Sequence, residues 1–159
     1  AWLLNDEALL KIMPLVLPRL DTLADFIPKA SFLFTDELVY NKEDLLTKGL
    51  DAAQVPVLLK IAQWEFEKMG PWTADFISGV FNTISEKEDI KFKKLLEPFF
   101  IAMSGQKVAL PLFESMEILG RDMVLRRLQY ALDGLPAAHA LSAKKLKKLQ
   151  GDYIQHYGA

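Results

Sequence analysis

The chain has 159 residues, a formal net charge of −2, 51% hydrophobic residues and no cysteine. The absence of cysteine excludes disulfides and thiolate metal sites, and no apolar run reaches the ~20 residues that a membrane helix needs. The length fits one domain, or two small ones that share a core.

Charge is distributed unevenly along the chain. Residues 1–70 contain 7 basic and 11 acidic side chains, whereas residues 141–159 contain four lysines and one aspartate. Positive charge therefore accumulates towards the C-terminus. The stretch Ala1 to Asp6 lacks the basic start of a signal peptide and turns acidic at once, and we expect a cytoplasmic location.

Apolar residues at helical spacing dominate the first half of the chain. Pro14 lies inside the first such pattern and is expected to kink or break it. The longest predicted loop of this half covers residues 35–42. The predicted helices begin near Asn5 or Asp6, Leu20, Glu43 and Asp51, and the last of them stops at Gly70-Pro71.

Glycine and proline divide the second half. Gly105 is placed where a helix should stop, because glycine accepts the left-handed conformation of a C-terminal cap. Pro111 suits the start of the next helix, and Gly120 separates that helix from another. The predicted helices of this half begin near Thr73, Phe92, Pro111, Arg121 and Ser142.

The fold class predicted from these patterns is all-α. No segment shows the sustained period-two alternation that is typical of strands. We expect two packed helical subdomains, residues 1–70 and 71–134, joined through the long helix that begins at Asp51. A linker and a basic C-terminal helix follow over residues 135–159.

A search for catalytic patterns finds little. The two histidines, His139 and His156, lack metal-ligand spacing, and there is no glycine-rich phosphate loop. Carboxylate pairs such as Glu65 and Glu67 are more typical of a solvated helix face than of acid–base chemistry. From its residues alone the chain is a helical binding module, with no metal and no catalytic motif.

Several short stretches occur in a recognisable order. The second half contains Pro98-Phe-Phe-Ile-Ala-Met-Ser-Gly105, then Leu112-Phe113, Leu119-Gly120-Arg121, Arg127-Leu128 and Ala131-Leu132. Upstream lie Arg19, Thr22-Leu23, Phe32-Leu33-Phe34 and Trp72-Thr73-Ala74. From about Leu9 to Leu132 this order resembles the C-terminal anticodon-binding region of bacterial glutamyl-tRNA synthetases. The residues from Leu141 onward match nothing general to that family.

The resemblance implies a function in tRNA recognition. The parent would be a class I synthetase, a glutamate–tRNA ligase, whose catalytic domain carries His-Ile-Gly-His and Lys-Met-Ser-Lys-Ser motifs that are absent here. The chain would bind tRNA(Glu), with tRNA(Gln) left open as a second partner. It would be a monomeric fragment without a cofactor of its own, since ATP belongs to the missing catalytic domain.

The resemblance also implies roles for single residues. Arg19 aligns with the family's arginine that reads the third anticodon base, a role suited to its planar pair of donors. The predicted contacts with the first anticodon bases are made by Ala109, Leu110, Leu112 and Phe113. The predicted contacts with the tRNA backbone are made by Lys107, Arg121 and Arg127.

One position departs from the family pattern. Phe100 stands where the family has the arginine associated with the middle base. Either the base stacks on this aromatic ring, or another cation such as Lys93, Lys94 or Lys107 replaces the arginine, or the middle base is read less strictly.

Each of these features also has a structural interpretation. Phe100 and Phe113, at helical spacing, equally suit a core. Arg127 can cover apolar surface with its stem, and the lysines of residues 144–148 suit a solvated helix face. The alternative for the whole chain is a non-catalytic helical protein-interaction module.

Overall fold

The computed structural model describes residues 10–14, 26–107 and 110–158. Within these ranges all regular structure is helical and no strand occurs, so the predicted all-α class is confirmed. The predicted helix starts near residues 5 and 20 lie outside the described residues. The helices are α1 (residues 10–14), α2 (Phe26–Ala30), α3 (Gln54–Lys68), α4 (Ala74–Lys87), α5 (Phe92–Ser104), α6 (Leu112–Leu119), α7 (Arg121–Gly134) and α8 (Ala143–Tyr157), with 3₁₀ turns at Ser31–Leu33 and Lys42–Leu45.

Helix α3 lies at the centre and packs against α4 and α7. The prediction that Asp51 caps it is wrong. The helix begins at Gln54, and Ala53 occupies the N-cap without a side-chain hydrogen bond. Asp51 is two residues too early for its carboxylate to reach the first helical N–H groups. Instead its own N–H donates to the side chain of Gln54 at 3.1 Å.

The segments α5, α6 and α7 are separated by the two glycines, as predicted. Gly105 has a φ of 73° and donates its N–H to the carbonyl of Ile101 at 2.8 Å, which closes α5. Gly120 has a φ of 86° and donates to Met116 at 3.1 Å, which closes α6. Pro111 occupies the N-cap of α6, one position before the first helical residue.

The motif around Trp72 joins α4 to α6. The hydroxyl oxygen of Thr73 accepts the N–H of Phe76 at 3.3 Å and caps α4, as predicted. The indole of Trp72 donates to the carbonyl of Met116 at 2.9 Å, and the N–H of Ala74 donates to Glu117 at 2.8 Å. The start of one helix is therefore hydrogen-bonded to the end of the other.

Buried side chains form two hydrophobic clusters. The larger one extends from Leu45 to Tyr153, and its Phe81 meets Phe66 and Phe99 edge to face at 5.7 and 4.8 Å between ring centroids. The smaller one consists of Ile12, Ala30, Phe32, Leu33, Leu38 and Leu110. The larger cluster draws on both sides of residue 70, which fits subdomains that share a core; the boundary itself stays a prediction.

Helix α8 packs back against this body. Ser142 caps it by accepting the N–H of Lys145 at 3.2 Å, as predicted. Tyr153 is 5% exposed, and its hydroxyl donates to the carboxylate of Glu65 on α3 at 2.7 Å. No helix in the described part of the chain is long and apolar enough to span a membrane.

Candidate functional site

The link between α5 and α6 is the candidate site. Its first residues are held by the hydroxyl of Ser104, which donates to the carbonyl of Phe100 at 2.7 Å and accepts the N–H of Gln106 at 3.1 Å. Gly105 between them turns the chain with its positive φ. Residues 108–109, and with them the predicted contact Ala109, lie outside the described residues.

This link packs against a stretch that lies far away in the sequence. The side chain of Gln106 donates to the carbonyl of Pro28 at 3.1 Å. Leu110, 1% exposed, belongs to the smaller cluster together with Phe32 and Leu33. A Cβ atom at Gly105 would lie 3.6 Å from the side chain of Tyr40. The link and the segment of residues 28–40 therefore form one junction; Arg19 lies outside the described residues.

A buried arginine joins the same two stretches. Arg127 is 4% exposed, and its guanidinium donates to the carbonyl of Met103 at 2.5 Å, of Phe32 at 2.8 Å and of Thr35 at 2.7 Å. Met103 belongs to the last turn of α5. Phe32 lies in the 3₁₀ turn Ser31–Leu33, and Thr35 follows two residues after that turn. Burial lowers the pKa of Arg127 to about 10, so the side chain stays charged at neutral pH.

The predicted role of Arg127 as a contact to the tRNA backbone has no support in this geometry. The guanidinium is enclosed and donates to three protein carbonyls, and two of these bonds, to Met103 and Phe32, are buried. Arg127 therefore links the end of α5 to residues 32 and 35 and holds the two sides of the junction together.

Arg121 is occupied in a similar way. Its guanidinium donates to the carbonyls of Met69 at 2.8 Å and Gly70 at 2.5 Å, and it lies 5.5 Å from the ring centroid of Trp72. It therefore fastens the end of α3 to the start of α7. Of the three predicted backbone contacts, Lys107 alone is exposed, and it forms no hydrogen bond or ion pair with the described residues.

The predicted base contacts are largely part of the core. Leu110 and Leu112 are 1% and 5% exposed. The ring of Phe113 lies 5.5 Å from that of Phe81 and 6.0 Å from that of Phe92. Phe100 is half-buried against the larger cluster. Among these residues, contact with a ligand would involve backbone groups more than side chains.

The lysines proposed to replace the family arginine lie at unequal distances from the junction. Lys93 and Lys94 belong to the first turn of α5, whereas Phe100 is near its end. Seven residues of helix separate Lys93 from Phe100 by about 10 Å along the axis. Lys107, three residues after the helix, is therefore the better placed cation.

Two residues of the junction were not identified from the sequence. Tyr40 packs on Gly105, and the only signal for it was an aromatic residue inside a predicted polar loop. Gln106 carries no such signal, because its contact with Pro28 depends entirely on the tertiary arrangement. Among the described residues no group of three or more histidines or carboxylates is arranged to hold a metal ion.

Comparison with known proteins identifies the class to which this fold and junction belong. The model of the anticodon binding domain family matches residues 1–132, and the chain therefore belongs to that family.

The relatives narrow this further. The glutamate–tRNA ligase of Chlamydia trachomatis serovar L2 is 42% identical over 131 residues, which cover 82% of this chain and 26% of the relative. That of Marinomonas sp. is 32% identical over 151 residues, or 95% of this chain and 31% of the relative, so the match extends into α8. The resemblance to the anticodon-binding region of glutamyl-tRNA synthetases is confirmed.

A solved structure agrees on the fold. A glutamate tRNA ligase from Elizabethkingia meningosepticum, in complex with its amino acid, has a TM-score of 0.74 at 19% identity and is matched over 84% of this chain and 26% of its own. The chain spans between a quarter and a third of the length of these relatives.

Proposed function

We propose that this chain binds the anticodon loop of tRNA(Glu) as the recognition region of a glutamate–tRNA ligase. The observation that carries the proposal is the junction between the α5–α6 link and residues 28–40, held by Gln106, Leu110 and Arg127. One side of the junction is the link that resembles the family's base-reading loop, and the other contains Phe32-Leu33-Phe34, which follows Arg19 in the resembling motif. The two parts are far apart in the sequence, and only the tertiary packing brings them into contact.

The local geometry suits single-stranded RNA. Unpaired bases are recognised by stacking and by hydrogen bonds to their exposed edges. A helix end followed by a helix start supplies backbone groups without partners inside the helices, and α6 begins without a side-chain cap. We therefore assign base contacts near Leu110 and Leu112 to their backbone groups, and a phosphate contact to Lys107.

Specificity for the third anticodon base is assigned to Arg19. The glutamate and glutamine anticodons carry cytosine and guanine there. Cytosine offers acceptors on its pairing edge, whereas guanine offers N–H donors that a guanidinium cannot accept. We propose tRNA(Gln) as the weaker partner, with Phe100 leaving the middle base less strictly read.

The remaining parts of the proposal concern the parent protein. Attachment of glutamate with ATP would be performed by a catalytic domain outside this chain, which fits the greater length of the relatives. We propose a cytoplasmic ligase in which this region functions as a monomer.

The test is filter binding of the chain to tRNA(Glu), to the same tRNA with its anticodon bases exchanged, and to an unrelated tRNA. A base-pair exchange in the acceptor stem of tRNA(Glu) serves as a matched control. We expect the chain to bind tRNA(Glu) more tightly than the unrelated tRNA. Exchange of the anticodon should abolish this preference, and the stem exchange should leave it intact. Affinity should fall steeply with added salt, because phosphate contacts release counterions. Equal binding of all four RNAs with little salt dependence would favour the protein-interaction module instead.

A further inference from the structure

The N-terminal half of α8 presents four lysines within five residues: Lys144, Lys145, Lys147 and Lys148. We call them the α8 lysine face. All four are exposed, and none of their side chains forms a hydrogen bond or ion pair with the described residues. Elsewhere Lys68 lies 2.8 Å from Glu65, and Lys94 lies 3.6 Å from Glu97. The α8 lysine face is therefore a concentration of uncompensated charge on a protein whose net charge is −2.

By itself this arrangement is unfavourable. Lys144 and Lys148 are four residues apart on a helix, where like charges repel. The first turn of α8 contains no acidic residue, although the helix dipole disfavours cations at that end. Leu146, Leu149 and Tyr153 turn towards the body, so the lysines share the solvent-facing side. An anionic partner on that side would relieve the repulsion.

The helix that carries the lysines is hydrogen-bonded to the body through its C-terminal half. Beyond the bond between Tyr153 and Glu65, the hydroxyl of Tyr157 donates to Glu88 at 2.9 Å, and Lys87 donates to the carbonyl of His156 at 3.0 Å. Three bonds to α3 and to the end of α4 thus fix the C-terminal half of α8.

A groove runs beside the lysine face. Its volume is about 300 Å³, and it lies between α8 and the start of α3. Lys145, Lys148 and His139 line it together with the apolar residues Ala53 and Pro56, and Asp152 is its one carboxylate. The groove extends the lysine face towards the linker that follows α7.

Contacts connect the junction described above with the end of α7. Tyr40 packs on Gly105 at one side and meets Tyr130 edge to face at 6.0 Å on the other. The stem of Lys42 lies against Gly134 at the end of α7, from which the linker leads to α8. A tRNA continues from its anticodon loop into a double-stranded stem, and duplex RNA is bound mainly through its phosphates and sugars.

We propose that the α8 lysine face binds the phosphodiester backbone of the tRNA outside its anticodon loop. The inference rests on the proposed function, since it takes its ligand from there. All of α8 lies beyond the family match at residues 1–132, and the inference gives this helix a sequence-independent part in tRNA binding.

The test compares two double variants of the chain that each remove two exposed lysines. Lys144→Gln with Lys148→Gln removes half the charge of the lysine face, and Lys48→Gln with Lys91→Gln is the matched control at two other exposed lysines. Affinity for tRNA(Glu) is measured between 50 and 200 mM salt. We expect the first variant to lose about fivefold to tenfold in affinity at low salt and its salt slope to fall by about 1.5, while anticodon preference is unchanged. The control should bind as wild type does.

Further variants separate charge from folding. Lys144→Arg with Lys148→Arg should restore wild-type affinity, because phosphate binding needs the charge. Urea unfolding of the glutamine variant should show no loss of stability, since it removes repulsion. If wild type binds tRNA(Glu) and the glutamine variant binds it with equal affinity and slope, the inference fails and the proposed function stands. Equal losses in both glutamine variants would indicate a general charge effect and also overturn the inference. Absence of tRNA binding by wild type would remove the proposed function and this inference together.

Discussion

Arg127 and Lys42 each place a cationic group inside the described part of the protein, and the two are accommodated in different ways. The guanidinium of Arg127 is surrounded by three carbonyl acceptors. The ammonium of Lys42 is buried without a hydrogen-bond partner among the described residues, 2.9 Å from the ring centroid of Tyr130 and 4.1 Å from that of Tyr40. The first arrangement stabilises a charge by hydrogen bonds, and the second relies on the faces of two aromatic rings.

Arg127→Met should destabilise the chain by about 3 kcal/mol, because it leaves three carbonyls without their donor. Arg126→Met is the matched control: Arg126 is adjacent and exposed, and its loss should change stability by less than ~0.5 kcal/mol. The measurement is urea unfolding of both variants. Equal midpoints would mean that the carbonyls find other partners and that Arg127 does not hold the junction.

Lys42 should make stability depend on pH. Burial lowers its pKa from 10.5 to about 8 in the folded chain. Between these values the unfolded chain holds a proton that the folded chain has released, so the stability contributed by Lys42 rises with pH across this window.

Lys42→Met should abolish that rise. The measurement is the free energy of unfolding of wild type and variant from pH 7 to 10.5, with Lys48→Met as the exposed control. We expect the free energy of unfolding of wild type to rise with pH relative to that of Lys42→Met, and the control to show the same pH dependence as wild type. A constant difference between wild type and Lys42→Met would show that the tyrosine rings hold the ammonium charged throughout.

At the scale of elements, the two glycines between α5, α6 and α7 perform different tasks. Gly105, with φ 73° and ψ 8°, is an ordinary left-handed helix cap. Gly120, with φ 86° and ψ 156°, lies in a region that only glycine occupies readily. It allows α7 to begin at the residue that directly follows, so α6 and α7 are joined by a single residue.

Alanine substitutions should distinguish the two positions. We expect Gly105→Ala to cost about 1 kcal/mol and Gly120→Ala about 3 kcal/mol, because the second conformation is the more strained for an L side chain. Neither loss would come from crowding, since a Cβ at Gly105 meets Tyr40 at an ordinary 3.6 Å and one at Gly120 meets nothing within 4 Å. Gly70→Ala, also uncrowded and without a positive φ, is the control in thermal unfolding. The reverse order would contradict the backbone argument.

At the scale of the whole molecule, the junction brings distant segments together at the proposed RNA site. If Arg19 reads the third anticodon base, Arg19→Gln should narrow the preference for tRNA(Glu) over tRNA(Gln) by roughly 1–3 kcal/mol, the usual value of one bidentate base contact. Lys107→Gln removes an exposed charge and should weaken the binding of both tRNAs by the same factor. Binding constants for both tRNAs and all three proteins provide the test. An unchanged ratio for Arg19→Gln, where wild type discriminates, would remove Arg19 from the site.

Much of this protein follows from local sequence. The period of the apolar residues predicts helices, Thr73 and Ser142 predict caps, and Gly105 predicts a helix end, because each of these effects acts within one or two turns. The motif from Pro98 to Leu132 likewise indicated the family without any structure. The prediction that Asp51 caps α3 failed because the helix begins three residues later, at Gln54, and its N-cap position therefore falls on Ala53.

Tertiary packing decided what the charged and apolar residues of the site do. In the sequence, Arg121 and Arg127 resemble exposed phosphate ligands, yet each donates to carbonyls that lie 24 to 95 residues away. Leu110 is a core residue because a separate segment, residues 28–40, covers the α5–α6 link, whereas Leu112 is buried in the larger cluster. A helical period determines which residues share a face, but the partner of that face is set by contacts that no local pattern encodes.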